Sequence, residues 1–165
     1  MSGPFFGKYR GIVSDIDDPL HIGRVRATVP DVYGTDQSGW AMPCAPFGSS
    51  GAGFFSIPAK GSGVWIEFEQ GDQDYPIWSG SWWGSVSEMP TTLLPKPSDV
   101  VKIVTTGGAS LTLSDTPGTG GVILETSSGS KISITAQGIE ITNGSAAIKL
   151  SGPSVSINNG ALEVM

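Results

Sequence analysis

The sequence predicts an all-β protein in two zones, a compact aromatic region and then a stack of very short strands. Three observations lead there. Every Phe, Trp and Tyr lies between Phe5 and Trp83, so a conventional aromatic core belongs to the first zone alone. Gly 24 and Pro 12 in 165 residues require many tight turns. From Ile132 onward, branched apolar pairs recur around one small or charged residue, with period-two alternation that places Ile and Val on one face.

In the first zone five strands are expected, in order. Phe6–Asp15 ends at the turn Asp15-Ile-Asp-Asp-Pro-Leu20. Arg24–Val29 alternates cleanly, with Val25, Ala27 and Val29 inward, and Gly53–Ile57 forms the third strand. Val64–Glu69 sets Val64, Ile66 and Phe68 on one face, and Pro76–Ser81 follows the turn Gly71–Pro76. No helix longer than about a turn is expected. Five strands in this span suit a small closed barrel of the OB type, and a sandwich satisfies the same pattern.

Residues 85–100 hold Pro90, Pro95 and Pro97 and read as a stiff, extended linker. Ladder-like strands then begin at Lys102-Ile-Val-Thr105 and Ser110-Leu-Thr-Leu113. The irregular insert Thr116–Gly121 interrupts before Val122-Ile-Leu-Glu125. The regular rungs are Ile132-Ser-Ile134, Ile139-Glu-Ile141, Ile148-Lys-Leu150, Val155-Ser-Ile157 and Leu162-Glu-Val164, whose first residues are 7, 9, 7 and 7 apart. Strands this short cannot stand alone, so they are expected to stack into a solenoid or prism, within one chain or interleaved between three.

Composition excludes several functions. The net charge of −6 and a pI near 4.5 argue against a nucleic-acid or anionic-membrane surface. No apolar run approaches a membrane span, and Met1-Ser-Gly-Pro4 is not a signal peptide. Cys44 is the one cysteine, so no intrachain disulfide forms, as suits folding in a reducing cytosol.

Gly23-Arg24-Val25 through Pro30, then Trp40 and Pro43, then Gly63-Val64-Trp65 through Phe68 form an ordered series of short motifs. Gly71-Asp72, Asp74, Pro76 and Trp78 continue it, and Gly80, Trp82 and Trp83 close it. The series resembles the OB-fold domain of the phage baseplate spike and type VI secretion VgrG family, also called baseplate assembly protein V, over about residues 7–84. The resemblance implies an OB domain at 1–84, the linker at 85–100 and a β-helix spike at 101–165. It implies an all-β architecture: a five-stranded OB barrel followed by a trimeric, intertwined β-helix shaped as a triangular prism.

By the same resemblance the chain is a structural, non-enzymatic central spike of a contractile tail or injection system. It would be a homotrimer in a virion or extracellular contractile particle, assembled in the bacterial cytoplasm. OB domains would dock on a ring of hub protein, and the β-helix would pierce and transiently contact the target envelope. VgrG proteins carry a fused hub before the OB domain and some phage spikes a lysozyme domain after it. Neither is in this chain, which reads as a minimal spike with a separate hub.

The core of the prism is expected from the ten apolar rung residues, Ile132, Ile134, Ile139, Ile141, Ile148, Leu150, Val155, Ile157, Leu162 and Val164. The sequence stops in register at Leu162-Glu-Val-Met165, so a blunt apolar end is expected at Leu162, Val164 and Met165. In the family a small PAAR-type cone often caps such an end, so the resemblance implies a separate tip protein; the alternative is that Met165 folds inward and the trimer seals itself. An iron-binding histidine tip is not expected, because the one His is His21.

Other chemistry reads as ordinary structure. Asp15, Asp17 and Asp18 lack the Gly and distal Glu of a calcium loop and form a turn. Asp72 and Asp74, with Glu67 and Glu69, give no glycosidase cleft. Cys44 with His21 lacks an orienting third group, and a buried Cys44 is expected. Trp65, Trp78, Trp82 and Trp83 are expected in a core or a subunit interface. Gly118-Thr-Gly-Gly121 has no Lys or helix after it, as a phosphate loop would. The alternative function is an OB binding module for single strands or glycans, which needs a basic aromatic groove. No cofactor or metal is expected.

Overall fold

A computed structural model describes residues 3–90 and 99–164, which divide into two compact units at Glu88 and Met89. The first unit contains β1 (Tyr9–Asp15), β2 (Arg26–Thr28), a one-turn α1 (Pro30–Tyr33) and β3 (Met42–Pro43). The short β4 (Gly48–Ser49) and β5 (Ala52–Gly53) follow, then β6 (Gly63–Phe68) and β7 (Pro76–Trp82). Five strands form one sheet in the order β2-β1-β6-β7-β3, and β4 and β5 pair separately as a hairpin. The sheet is curled. Val25 and Ala41 exchange two backbone hydrogen bonds, 2.8 and 3.2 Å, which tie the approaches to its two edge strands together.

The inward residues predicted from alternation are the ones buried. Val25, Ala27 and Val29 have no exposed surface, and neither do Val64 and Ile66, with Val13, Ala41, Phe68 and Trp78 completing the core. Alternation works here because each strand has one face on the core and one toward water.

Four expectations need correction. The first strand starts at Tyr9 and not Phe6, because Gly7 breaks the extended backbone at φ +103°. The second spans only Arg26–Thr28, with Val25 paired instead to Ala41. The third expected strand, Gly53–Ile57, is not a strand beyond Gly53, and Met42–Pro43 takes the fifth place by pairing in parallel with Ile77 and Trp78. Pro58, directly after the expected strand, has no N–H to give a sheet ladder, and the Phe54 N–H donates to the Phe47 carbonyl at 3.2 Å beside the β4–β5 hairpin. Finally, Cys44 is exposed and not buried.

The second unit is a single antiparallel sheet of eight strands. These are β8 (Val100–Val104), β9 (Ser110–Ser114), β10 (Gly121–Glu125) and β11 (Lys131–Thr135), then β12 (Gly138–Asn143), β13 (Ala146–Ser151), β14 (Ser154–Ile157) and β15 (Leu162–Val164). Each strand hydrogen-bonds to its neighbours in sequence, so the chain meanders and does not coil. The inner strands find both hydrogen-bonding partners among their neighbours in the chain. The connections between successive strands are two to six residues long, two at 136–137, 144–145 and 152–153, and links this short reverse the chain into antiparallel pairing. Of the expected linker 85–100, residues 91–98 lie outside the described residues, as does Met165. Val86–Glu88 makes a 3-10 turn and Val100 already belongs to β8.

Candidate functional site: the apolar face of the second unit

Register converts the rung pattern into a surface. Directly opposed residues on neighbouring strands share a face. Following the pairs from β8 to β15, Ile103, Leu111, Leu124, Ile132, Ile141, Ile148, Ile157 and Leu162 form one row. Val101, Leu113, Val122, Ile134, Ile139, Leu150, Val155 and Val164 form the second, two residues away along each strand. Neither row contains a polar residue. At about 4.8 Å per strand the rows run roughly 34 Å.

All ten rung residues named from the sequence therefore meet on one face. Sequence reasoning left out the six earlier members, Val101, Ile103, Leu111, Leu113, Val122 and Leu124. Their period-two spacing was visible, but the longer connections around the 116–121 insert hide the seven-residue step. The insert is a turn closed by Gly120 N–H on the Thr116 carbonyl at 2.7 Å. Gly121 starts β10 at φ +153°, where a Cβ would lie 2.1 Å from the Ile134 carbonyl oxygen. Gly138 stands likewise against Leu150, so both glycines are required for strands to approach this closely.

Burial on this sheet is inverted. Ile132 and Ile134 are 41% and 48% exposed, while Ser133 between them, on the opposite face, is only 6% exposed. The middle row of that opposite face runs through Lys102, Thr112, Ile123, Ser133, Glu140, Lys149 and Ser156. Opposite charges face each other at Glu140 and Lys149. A contiguous apolar patch of this size does not persist in water unless something covers it.

In the first unit, the family motif residues build the scaffold. Gly23 has φ +84° and its carbonyl accepts the Trp78 indole N–H at 3.0 Å. The Arg24 guanidinium grips Asp18 at 2.6 Å, and both Arg24 and Arg26 lie over the Trp40 ring. Asp18, nearly buried, also accepts the backbone N–H groups of Leu20, Ile22 and Arg24. The Arg24 side chain, followed by those N–H groups, outweighs burial and holds the Asp18 carboxyl well below the usual carboxylate range.

Pro30 opens α1, and Pro43 and Pro76 sit at strand ends. Gly63 lies under Trp82, where a Cβ would meet the indole at 2.6 Å. Trp82 donates to the Val64 carbonyl, and Arg10 packs over the Trp65 and Trp82 rings. Phe68 is core, Gly71 (φ +81°) accepts from Phe5 N–H, and Asp72 caps Asp74 N–H. Burial, with the charges of Asp74 and Asp72, pushes the Tyr33 hydroxyl up to about 12. Gly80 has φ +137°, and Trp83 is exposed. Among the described residues no group of three or more His, Cys, Asp or Glu could hold a metal ion.

Two domain families account for this pair of units. Residues 9–83 match the type VI secretion system/phage-baseplate injector OB domain, and residues 100–163 match the phage baseplate V C-terminal trimerisation domain. The chain belongs to the phage baseplate spike family. Those families are structural components of injection machines and not enzymes, and they suggest a tail-associated location. The trimerisation match supports a homotrimer. No curated protein matches the chain.

Proposed function

We propose that this chain is the central spike of a contractile tail baseplate or injection system, in which three copies bury their two-row apolar faces against one another as a triangular prism. The observation behind the reading is the inverted burial of the second unit, with unbroken aliphatic rows in water on a domain of the trimerisation family. Three such faces turned inward leave the polar faces outward. Each half-exposed Ile, Leu or Val that becomes buried contributes on the order of 1 kcal/mol, and the rows on three chains together roughly tens of kcal/mol. Dissociation is then inseparable from loss of the apolar core, which gives the stiffness a penetrator needs.

In this reading residues 1–84 are a five-stranded OB barrel that docks on a separate ring of hub protein, 85–100 are the linker, and 101–165 pierce the target envelope. The rung residues Ile132 through Val164 are the trimer core. Leu162, Val164 and Met165 meet a PAAR-type tip protein, and assembly takes place in the bacterial cytoplasm before the particle is complete. The mechanism is mechanical and needs no reacting group.

Light scattering on the purified chain tests the trimer, with an unboiled denaturing gel beside it. The expected result is three times 17.0 kDa, with a band that survives detergent until heated. A monomer of 17.0 kDa overturns the reading.

A further inference from the structure

β3 runs beside β7 only as far as Trp78, and the β4–β5 hairpin belongs to a different sheet. The hairpin and the second half of β7 line a cleft of about 790 Å³. Ile22, Phe47, Phe54, Phe55 and Ile57 line it together with Cys44, and none of its lining residues is charged. Phe55 is 81% exposed and Cys44 is also exposed. We propose that this cleft is an interface between copies, filled by the OB unit of the next chain around the trimer. The inference rests on the homotrimer of the preceding section and extends it to the first unit.

Charge selects this occupant. Residues 1–84 contain 5 Lys and Arg against 9 Asp and Glu, so each OB unit carries −4 and repels its copies. An uncharged surface is where such copies approach without juxtaposing like charges. Connectivity adds to this. Eleven residues, 89–99, separate Glu88 from Val100, so trimerisation of the second unit holds three OB units at an effective concentration on the order of millimolar. At that concentration a modest apolar contact anchored by a few phenylalanines is enough. A three-fold ring is closed by unlike surfaces meeting head to tail, so the cleft of one copy receives a different face of the next.

Cys44 is the only cysteine in the sequence, so its rate of thiol labelling in the full-length protein reports on the cleft. Labelling in the native trimer is expected to be at least about tenfold slower than in a Phe55→Asp chain that keeps the trimer mass, since thiol reactivity follows exposure. An Ile141→Asp chain, in which a charge on the apolar face is expected to leave a monomer, should label as fast as Phe55→Asp. If that variant fails to fold, Phe55→Asp decides alone, because it leaves the sheet face untouched. A trimer in which Cys44 labels as fast as in Phe55→Asp overturns the cleft and leaves the trimer standing. Protection that appears only when hub protein is added overturns it too, in favour of hub docking. A wild-type monomer refutes the trimer itself.

Discussion

The two units of this chain solve the same problem in opposite ways. In the first, alternation hides Val25, Ala27, Val29, Val64 and Ile66 completely within one copy. In the second, alternation of the same kind leaves Ile139, Ile141, Ile148 and Leu150 in water and covers a serine. The difference lies in the turns. The first sheet curls until Val25 and Ala41 tie its margins together, so its inner face meets itself. The second joins strands of three to six residues by connections of two to six, each strand pairing only with its neighbours in sequence, and its apolar face finds nothing of its own to meet. A hydrophobic pattern therefore says which side is apolar, while connectivity decides whether one copy can bury it.

Substitutions can break each half separately. The largest effect is expected from Ile141→Asp, which places a charge in the middle of the apolar face. Burying an unpaired carboxylate there is prohibitive, so the light-scattering mass should fall to that of a monomer while the first unit keeps its near-UV signal. A trimer that tolerates this change would remove the face from the interface. Next is Ile66→Ala at a fully buried site, expected to cost the first unit about 2–5 kcal/mol in denaturant unfolding and to leave the trimer mass unchanged.

Gly63→Ala drives a Cβ into the Trp82 indole and carbonyl. A loss of about 1–3 kcal/mol is expected in the same assay, with a change in Trp fluorescence. The smallest separation comes from pH. Asp18 has its folded pKa depressed by Arg24, so its contribution is present above the unfolded value near 4 and is lost as pH falls below it. The sixteen face residues do not titrate. Acid should thus loosen the first unit, read by its thermal midpoint, before it lowers the mass of the assembly. An Asp18→Asn chain should lose most of that dependence.

Much of this was legible in the residues. The rung alternation at 132–164 gave the strands, their faces and the ten apolar positions, because period two survives any pairing partner. Burial of Val25 and Ile66 followed from the same rule. What alternation could not give was the partner of each strand, since Ile132-Ser-Ile134 reads identically in a coil, a meander or an interleaved trimer. Short turns between rungs settle that point, and they favour the antiparallel neighbour. Met42–Pro43 was missed because a two-residue strand ending in proline has no period, and Phe54–Ile57 misled because β-favouring composition was mistaken for pattern. Asp18 was read as a turn residue, and the carboxylate that gathers Leu20, Ile22 and Arg24 is visible only once the turn is folded.

The sameness of the two aliphatic rows has a consequence for evolution. Because successive rungs present interchangeable aliphatic pairs to the same face, a further pair of rungs can be inserted without redesigning its neighbours. Two strands restore the chain direction and add roughly 10 Å. A single added strand would reverse it. Spike length is thereby a quantity that duplication can adjust in fixed increments, like links in a chain, to suit the thickness of the barrier to be crossed.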